Sequence, residues 1–288
     1  QRRELVRMSI LQVTNASFSY EQHLEKIFED ISFEVGQGEI FCLLGPNGCG
    51  KSTLLDNILG VNHLQQGKIR VMGRDTRTLK SGEIARYIAY VPQSHERTFP
   101  YQVIDIVKMG RAAYTGRFSS PSAEDKEIAK EALDLVGLRH LRHRPYTQLS
   151  GGEGQLVMIA RALAQKTPVI VMDEPTAHLD FKHEMVVMET IVKLVKTTNL
   201  TVVMATHFPN HTFYLENNGI KTTVALMHKK HFLEVGNPTR VLNEHNMRTL
   251  YNVNTKLMTC PLNTSTVLKQ LVPVSTLRTK EEEGNANV

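Results

Sequence analysis

Four short apolar segments, each followed directly by a polar residue or loop, constrain the fold of this chain more than any other feature. They are EIFCLLG (39–45), RYIAYVPQ (86–93), PVIVMDEP (168–175) and TVVMATH (201–207). Continuous apolar runs of this length are typical of strands that are buried on both faces of a parallel sheet, with helices in the connections. Ligands of such sheets bind beyond the carboxyl ends of the strands. We therefore predict an α/β fold with a functional site where these segments end.

The first segment runs into GPNGCGKST (45–53), which fits the pattern G-x-x-x-x-G-K-[ST] between a strand and a helix. Backbone N–H groups of such a loop point inward, and the helix that follows adds positive potential, so the loop binds phosphate. We expect Lys51 to reach the β- and γ-phosphates and Ser52 to ligate Mg²⁺. A glycine turn with a chance lysine is the alternative, and it leaves the flanking elements unexplained. The predicted nucleotide contacts are Gly45, Pro46, Asn47, Gly48, Cys49, Gly50, Lys51, Ser52 and Thr53.

Two adjacent carboxylates, Asp173 and Glu174, end the third segment. An aspartate at the end of a buried strand organises Mg²⁺ in P-loop NTPases. The neighbouring Glu174 can act as general base toward an attacking water. Solvated carboxylates at a strand end are the alternative for the pair alone. Combined with the glycine-rich loop, the pair predicts hydrolysis of a nucleoside triphosphate.

A second phosphate-binding pattern, LSGGEGQ (149–155), precedes the helical stretch LVMIARALAQ. The Ser150 hydroxyl and the amides of Gly151 and Gly152, at a helix N-terminus, form a good donor set for an anion. The chain thus carries two phosphate-type loops that are far apart in sequence.

Together these motifs resemble the ATPase subunit of ABC transporters, over roughly residues 9–258. The resemblance implies that two copies of the chain pack head to tail and that residues 149–153 of each contact the γ-phosphate held by the other. It further implies that Gln93 senses Mg²⁺ and water, that His207 contacts the γ-phosphate, that Asp180 lies at the dimer interface and that Tyr20 stacks on adenine. A strand-end tyrosine is the alternative for Tyr20.

The resulting site prediction has three parts. The catalytic residues are Glu174, His207 and Gln93, and the Mg²⁺ ligands are Ser52, Gln93 and Asp173. The ATP contacts comprise the loop 45–53 together with Tyr20, Ser150, Gly151, Gly152, Glu153 and Asp180.

One position departs from the family pattern. The residue after LSGGE is usually Arg, Lys or Gln, and this chain has Gly154. Glycine early in a helix costs up to about 1 kcal/mol relative to alanine. The substitution casts doubt on the tightness of the closed dimer.

The order of the motifs predicts a P-loop NTPase core, a mostly parallel sheet flanked by helices, with an N-terminal antiparallel β-subdomain and an inserted α-helical subdomain. We assign residues 8–93 and 149–240 to the core, 94–148 to the helical insertion and 241–288 to a C-terminal extension. Residues 1–7 precede the first methionine and are not assigned to the fold.

Local patterns predict individual elements. LQVTNASFSY (11–20) and ISFEVGQGEI (31–40) indicate antiparallel strands, and 224–236 indicates a hairpin with a basic turn. Residues 102–114 indicate a helix, and a second helix begins at a capping box of Ser122 and Asp125 and ends at Gly137. Beyond about residue 262 the chain is polar, and we expect a frayed tail ending in KEEEGNANV.

Composition excludes several classes of protein. Three cysteines without framework spacing argue against a disulfide scaffold, and no apolar stretch approaches the roughly 18 residues of a membrane span. A formal net charge of +5 does not favour any one class of anionic partner. The histidine pairs His140/His143 and His228/His231 have metal-like spacing, but the sequence offers no third ligand nearby.

Within the ABC family, 92–111, 174–184 and 237–254 resemble importers of iron chelates, haem, cobalamin and other metal chelates. This implies two transmembrane permease subunits, an extracytoplasmic solute-binding protein as an indirect partner, no nucleic acid, and a peripheral position at the cytoplasmic face of the membrane. A soluble ABC ATPase such as an iron–sulfur assembly factor is the alternative. We expect Phe99, Pro100, Tyr101 and Val103 to line a groove for a permease helix.

Overall fold

The computed structural model describes residues 9–20, 25–115, 120–261 and 267–277. Residues 1–7 and the segment KEEEGNANV lie outside the described residues. The strands within the described part are β1 (Ser9–Phe18), β2 (Phe28–Gly36), β3 (Ile40–Leu44), β4 (Gln66–Val71), β5 (Arg74–Asp75), β6 (Ile88–Val91), β7 (Val169–Asp173), β8 (Thr201–Thr206), β9 (Thr222–His228), β10 (His231–Gly236), β11 (Val253–Pro261) and β12 (Val267–Thr276). The α-helices there are α1 (Lys51–Ile58), α2 (Ser81–Ile84), α3 (Val103–Lys108), α4 (Ala123–Leu135), α5 (Gly151–Ala164), α6 (Phe181–Thr198), α7 (Pro209–Asn217), α8 (Pro238–Val241) and α9 (Glu244–Tyr251).

The largest sheet has the strand order β10-β9-β3-β8-β7-β6. Five of its strands are parallel, and β10 pairs with β9 in the antiparallel sense. The four apolar segments form β3, β8, β7 and β6, which are neighbours in this order. Their carboxyl ends therefore meet along one edge, and the predicted α/β fold class is confirmed.

The central strands are buried on both faces, which explains their continuous apolar sequence. In β3, Phe41 and Leu43 join a core with α1 and the N-terminal sheet. Cys42 and Leu44 point to the other core, which contains residues of α3 to α6. No position within β3 is left for a polar side chain, so the functional groups lie in the loops that follow.

The N-terminal strands form a separate antiparallel sheet of order β2-β1-β4-β5, as predicted for 11–20 and 31–40. It packs against the central sheet through Phe33 and Phe41, whose ring centroids lie 4.1 Å apart in a stacked arrangement. The predicted hairpin at 224–236 is confirmed as β9 and β10. Its turn residues Lys229 and Lys230 have φ of 45° and 77°.

The predicted helix at 102–114 is only partly confirmed, because α3 gives way to a 3₁₀ turn at Met109–Ala113. The backbone there runs close to α5: a Cβ on Gly110 would lie 2.1 Å from the carbonyl oxygen of Arg161. Helix α4 begins at the predicted capping box, in which Asp125 N donates to Ser122 Oγ at 3.1 Å and Ser122 N donates to Asp125 Oδ2 at 2.9 Å. Gly137 follows the helix with a φ of 77°.

The expectation of a structureless polar segment after residue 262 is wrong for 267–276. These residues form β12, which pairs with β11 as an antiparallel hairpin. The hairpin is fastened to α7 by Asn210, whose Nδ2 donates to the Leu271 carbonyl at 3.2 Å and whose Oδ1 accepts from Leu271 N at 2.8 Å. Leu271 is the buried residue of β12.

The three cysteines are free thiols, with Cys42 buried and Cys260 exposed. Burial raises the pKa of the Cys42 thiol, which keeps it protonated and unreactive. Across the described residues, none of the helices combines the length and the apolar character that spanning a bilayer requires.

Candidate functional site

The glycine-rich loop after β3 is held by hydrogen bonds from one of its own side chains. Lys51, the first residue of α1, is buried, and its Nζ donates to the carbonyl oxygens of Gly45 at 2.7 Å and Pro46 at 3.1 Å. Gly48 and Gly50 have φ of 77° and 102°. Because side chains are disfavoured at these angles, the loop requires glycine to curve around a ligand.

An open cavity of about 390 Å³ lies over this loop. It is lined by Asn47, Lys51, Ser52 and Thr53, and by Gln93 and Glu174 from the strands farther along the sheet. The cavity therefore joins the predicted phosphate loop to Gln93 and Glu174, two of the three predicted catalytic residues.

The carboxylate of Asp173 is 5% exposed, and its Oδ1 has no hydrogen-bond partner among the described residues. Burial raises the pKa of this carboxyl group, a hydrogen bond from Ser52 opposes the rise, and the charge of Glu174 adds to it. An unsatisfied buried acceptor oxygen of this kind is poised for a cation.

Two of the predicted site residues, Gln93 and His207, approach the carboxylate of Glu174. Gln93 Nε2 donates to Glu174 Oε2 at 2.9 Å. His207 Nδ1 lies 3.1 Å from the same oxygen, without the geometry of a hydrogen bond. Glu174 has a φ of 43°, a costly conformation for a residue other than glycine, and its backbone N–H donates to the Ala205 carbonyl at 2.9 Å. The ends of β6, β7 and β8 thus converge on one carboxylate oxygen.

Tyr20 lies beside the loop, where its hydroxyl is 3.3 Å from Thr53 Oγ1. Its ring contacts Phe18 edge to face, with the centroids 5.0 Å apart, and the side chain is exposed. An exposed ring next to a phosphate loop can stack on a base.

The second phosphate-type loop forms the N-terminus of α5. Ser150 Oγ accepts from Glu153 N at 3.2 Å, and Glu153 Oε2 accepts from Ser150 N at 2.8 Å, which makes a capping box. The Ser150 backbone N–H is the main reason why the pKa of Glu153 is lowered. Gly151 and Gly152 occupy the first helical positions, whose N–H groups have no partner within the helix.

The two loops do not form one site within the chain. Of the described residues, those lining the cavity over the first loop include none of 150–153.

Asp180 caps α6, which lies next to the second loop. Its Oδ1 accepts from His183 N at 2.9 Å, and its carboxylate contacts His183 Nδ1 at 2.8 Å. The His183 ring packs on Gly152, where a Cβ would lie 2.4 Å from it. Asp180 thus contacts His183, whose ring packs against the second loop.

Sequence reasoning missed two residues near the site. Arg97, four residues after Gln93, donates to the carbonyl oxygens of the second loop. His211 of α7 links Glu184 of α6, at 2.7 Å, to Thr206 at the end of β8, at 3.2 Å. Burial lowers the pKa of His211, and Glu184 opposes this. Neither residue lies in a motif, so only the folded chain reveals them.

Residues 28–177 match the family model described as ABC transporter. The chain belongs to the ABC transporter family. It is an ATP-binding ATPase subunit of that family, as the resemblance of its motifs predicted.

Relatives cover most of the chain. The molybdate import ATP-binding protein MolC of Haemophilus influenzae is 37% identical over 243 residues, which cover 84% of this chain and 88% of that protein. The iron(3+)-hydroxamate import ATP-binding protein FhuC of Bacillus subtilis is 30% identical over 235 residues, covering 82% and 86%. A solved structure described as a metal-chelate type ABC transporter in an inward-facing conformation has a TM-score of 0.80 at 34% identity, with 93% of this chain and 98% of that chain covered.

Proposed function

We propose that this chain hydrolyses ATP between two copies of itself and thereby drives an ABC importer for a metal chelate, such as an iron chelate, haem or cobalamin. The observation that carries the catalytic part is the convergence of Gln93 and His207 on Glu174 Oε2. A general base must be within hydrogen-bond reach of the water whose proton it takes, and it must be held in place. The cavity beside Glu174 and the phosphate loop provides room for that water.

The residues at this edge fit a Mg²⁺ ion. Asp173 Oδ1 is a buried acceptor without a partner, and Ser52 hydrogen-bonds the same carboxylate. Mg²⁺ prefers oxygen ligands and is usually bound through one or two carboxylates, with waters and substrate phosphates among its other ligands. We propose Ser52, Asp173 and Gln93 as the residues that hold it. The ion neutralises phosphate charge when bound.

This chain's own residues then have distinct tasks. Lys51 exchanges the Gly45 and Pro46 carbonyls for phosphate oxygens, and Glu174 accepts the proton of the water. We propose that residues 150–153 of the partner copy, with Asp180 at the interface, complete the site. Tyr20 stacks on adenine. The division into a core (8–93 and 149–240), a helical insertion (94–148) and a C-terminal extension (241–288) stays a prediction.

The proposed substrate class rests on the relatives. FhuC is named for iron(3+)-hydroxamate import, and a petrobactin import ATP-binding protein of Bacillus anthracis is 31% identical over 252 residues. These names favour import over a soluble role such as iron–sulfur assembly. We expect the chain to act at the cytoplasmic face of the membrane, with two permease subunits and, indirectly, an extracytoplasmic binding protein. We expect no contact with nucleic acid.

The proposed permease groove includes Phe99 and Tyr101, which are 64% and 50% exposed and whose ring centroids lie 5.9 Å apart. Val103 does not belong to it, because it is 0% exposed in the core below α3. A cysteine at position 101 should form a cross-link to the permease. Absence of a cross-link at several tether lengths would contradict the proposed docking site.

The transport function is tested with the chain and its permease in proteoliposomes. We expect ATP-driven uptake of ⁵⁵Fe-hydroxamate or labelled cobalamin with the wild-type chain and none with Lys51→Ala. Uptake of labelled molybdate alone would overturn the proposed substrate class. A chain that hydrolyses ATP but stimulates no uptake of any iron chelate, haem, cobalamin or molybdate would overturn the import function.

A further inference from the structure

The space that a side chain at position 154 would take is filled by an arginine from another part of the chain. A Cβ built on Gly154 would lie 2.2 Å from Arg97 Nη2 and 2.5 Å from Arg97 Cζ. Helix α5 therefore tolerates its early glycine because Arg97 occupies the vacant position. The family usually has a long side chain at position 154, and in this chain the guanidinium of Arg97 takes its place.

The Arg97 guanidinium donates to three successive carbonyl oxygens of the second loop. Nη1 lies 2.6 Å from the Leu149 oxygen and 3.1 Å from the Ser150 oxygen, and Nη2 lies 3.4 Å from the Gly151 oxygen. It also sits over the Tyr146 ring, 5.4 Å from the centroid. Charged donors form the stronger class of hydrogen bonds, so this arginine holds the loop firmly.

These contacts fix the direction of the amides that bind phosphate. A peptide unit is planar, so holding the Ser150 carbonyl also sets the direction of the Gly151 N–H. In the same way, holding the Gly151 carbonyl sets the Gly152 N–H. Glycine restricts its own backbone less than any other residue, so at two consecutive glycines the contacts of Arg97 add to the helical hydrogen bond from Gly154 N to the Ser150 carbonyl at 3.0 Å.

Arg97 also connects the two sites along the chain. It lies four residues after Gln93, whose side chain contacts Glu174 in the same subunit.

We propose that Arg97 is a positioning residue that sets the orientation of the Gly151 and Gly152 amides for the partner's phosphate, and that Gly154 is required to make room for it. This inference rests on the proposed function, because it assumes that 150–153 act on the nucleotide of the partner copy. It pairs a residue of the second loop with one that is far from it in sequence.

The test uses ATP-dependent dimerisation of Glu174→Gln, measured by light scattering. Adding Arg97→Ala should raise the ATP concentration for half-maximal dimerisation by about tenfold, since a charged hydrogen-bond network is lost. Binding of a fluorescent ATP analogue to the monomer should stay unchanged, which a general loss of structure would not allow. Arg139→Ala, an exposed arginine paired with Asp134, is the matched control and should have no effect.

The second experiment moves the guanidinium from position 97 to position 154. Gly154→Arg alone should weaken dimerisation, because the new side chain displaces Arg97. The combination of Arg97→Ala with Gly154→Arg should dimerise better than either single variant, since the helix-borne arginine then enters the vacated space. Unchanged dimerisation of the Arg97→Ala variant, or additive loss in the combination, would overturn the proposal.

A third measurement separates this inference from the proposed function. Amide hydrogen exchange at Glu153 and Gly154, whose N–H groups donate to Ser150 Oγ and O, should be faster in monomeric Arg97→Ala. If Glu174→Gln itself fails to dimerise with ATP, the proposed function fails. Faster exchange then still supports the positioning of the loop by Arg97, and unchanged exchange overturns it.

Discussion

At the scale of single residues, Lys51 is held by carbonyl groups of its own loop, where we propose that phosphate binds. Its ammonium group is bonded to two loop carbonyls, which a nucleotide phosphate can replace with little movement of the side chain. Lys51→Ala should lower phosphate release by about a hundredfold or more, the scale expected for loss of one preorganised donor. The matched control is Lys130→Ala, an exposed lysine paired with Glu127. Near-normal turnover of Lys51→Ala would contradict the phosphate-loop assignment.

Another single residue, Asp125, makes the free energy of unfolding depend on pH in the acid range. The Arg111 guanidinium, at 2.8 Å, holds the pKa of the Asp125 carboxyl at about 2, with help from Ser122. An unfolded aspartate has a pKa of about 3.9. Since the unfolded chain binds the proton more readily, the stabilisation is complete above about pH 4 and is lost as the pH falls through about 2.

The free energy of unfolding of wild type is to be compared with that of Asp125→Asn, by urea unfolding at pH values between 7 and 2. Asparagine keeps a hydrogen-bond acceptor but cannot carry the charge. We expect the variant to be less stable at pH 7, and the difference to close as the pH falls toward 2. A difference that stays constant with pH would show that the charge of Asp125 does not matter.

At the scale of elements, the strands that are buried on both faces are the ones that the sequence predicts best. Strands β3, β6, β7 and β8 are continuous apolar runs, and no other element accommodates them so well. Strand β12 was missed because its Val and Leu residues do not alternate with polar ones, because it buries little beyond Leu271, and because it contains Pro273. The contacts of Arg97 could not be read from sequence either, because they join segments that are linked only through the fold.

The hairpin of β11 and β12 is attached to α7 by hydrogen bonds of one side chain, that of Asn210. Asn210→Ala removes both hydrogen bonds to Leu271 and should cost about 1–3 kcal/mol of local stability. Hydrogen exchange across 267–277 should accelerate while exchange in β3 stays unchanged. Asn218→Ala, just after the other end of α7, leaves these bonds intact and serves as the control. Equal protection of β12 in both variants would contradict the fastening role of Asn210.

At the scale of the whole molecule, we propose that the two phosphate-type loops act together only across two copies of the chain. Ser150→Arg places bulk and charge at the start of α5, where the capping box and the free amides of Gly151 and Gly152 lie. It should prevent closure although the first loop of the same chain still binds nucleotide. Lys51→Ala damages the opposite half of each site. Each variant alone should therefore be inactive, because every site of its dimer carries one defect.

A mixture of the two variants distinguishes sites within a chain from sites between chains. In a dimer of Lys51→Ala with Ser150→Arg, one site has both defects and the other combines an intact first loop with an intact second loop. Equal mixing makes half of the dimers mixed, each with one working site of two, so hydrolysis should recover to about a quarter of wild type at most. If both loops served the same chain's nucleotide, mixing would restore nothing. Phosphate release against the mixing ratio should peak at equal amounts of the two chains, and a flat profile would contradict the head-to-tail arrangement.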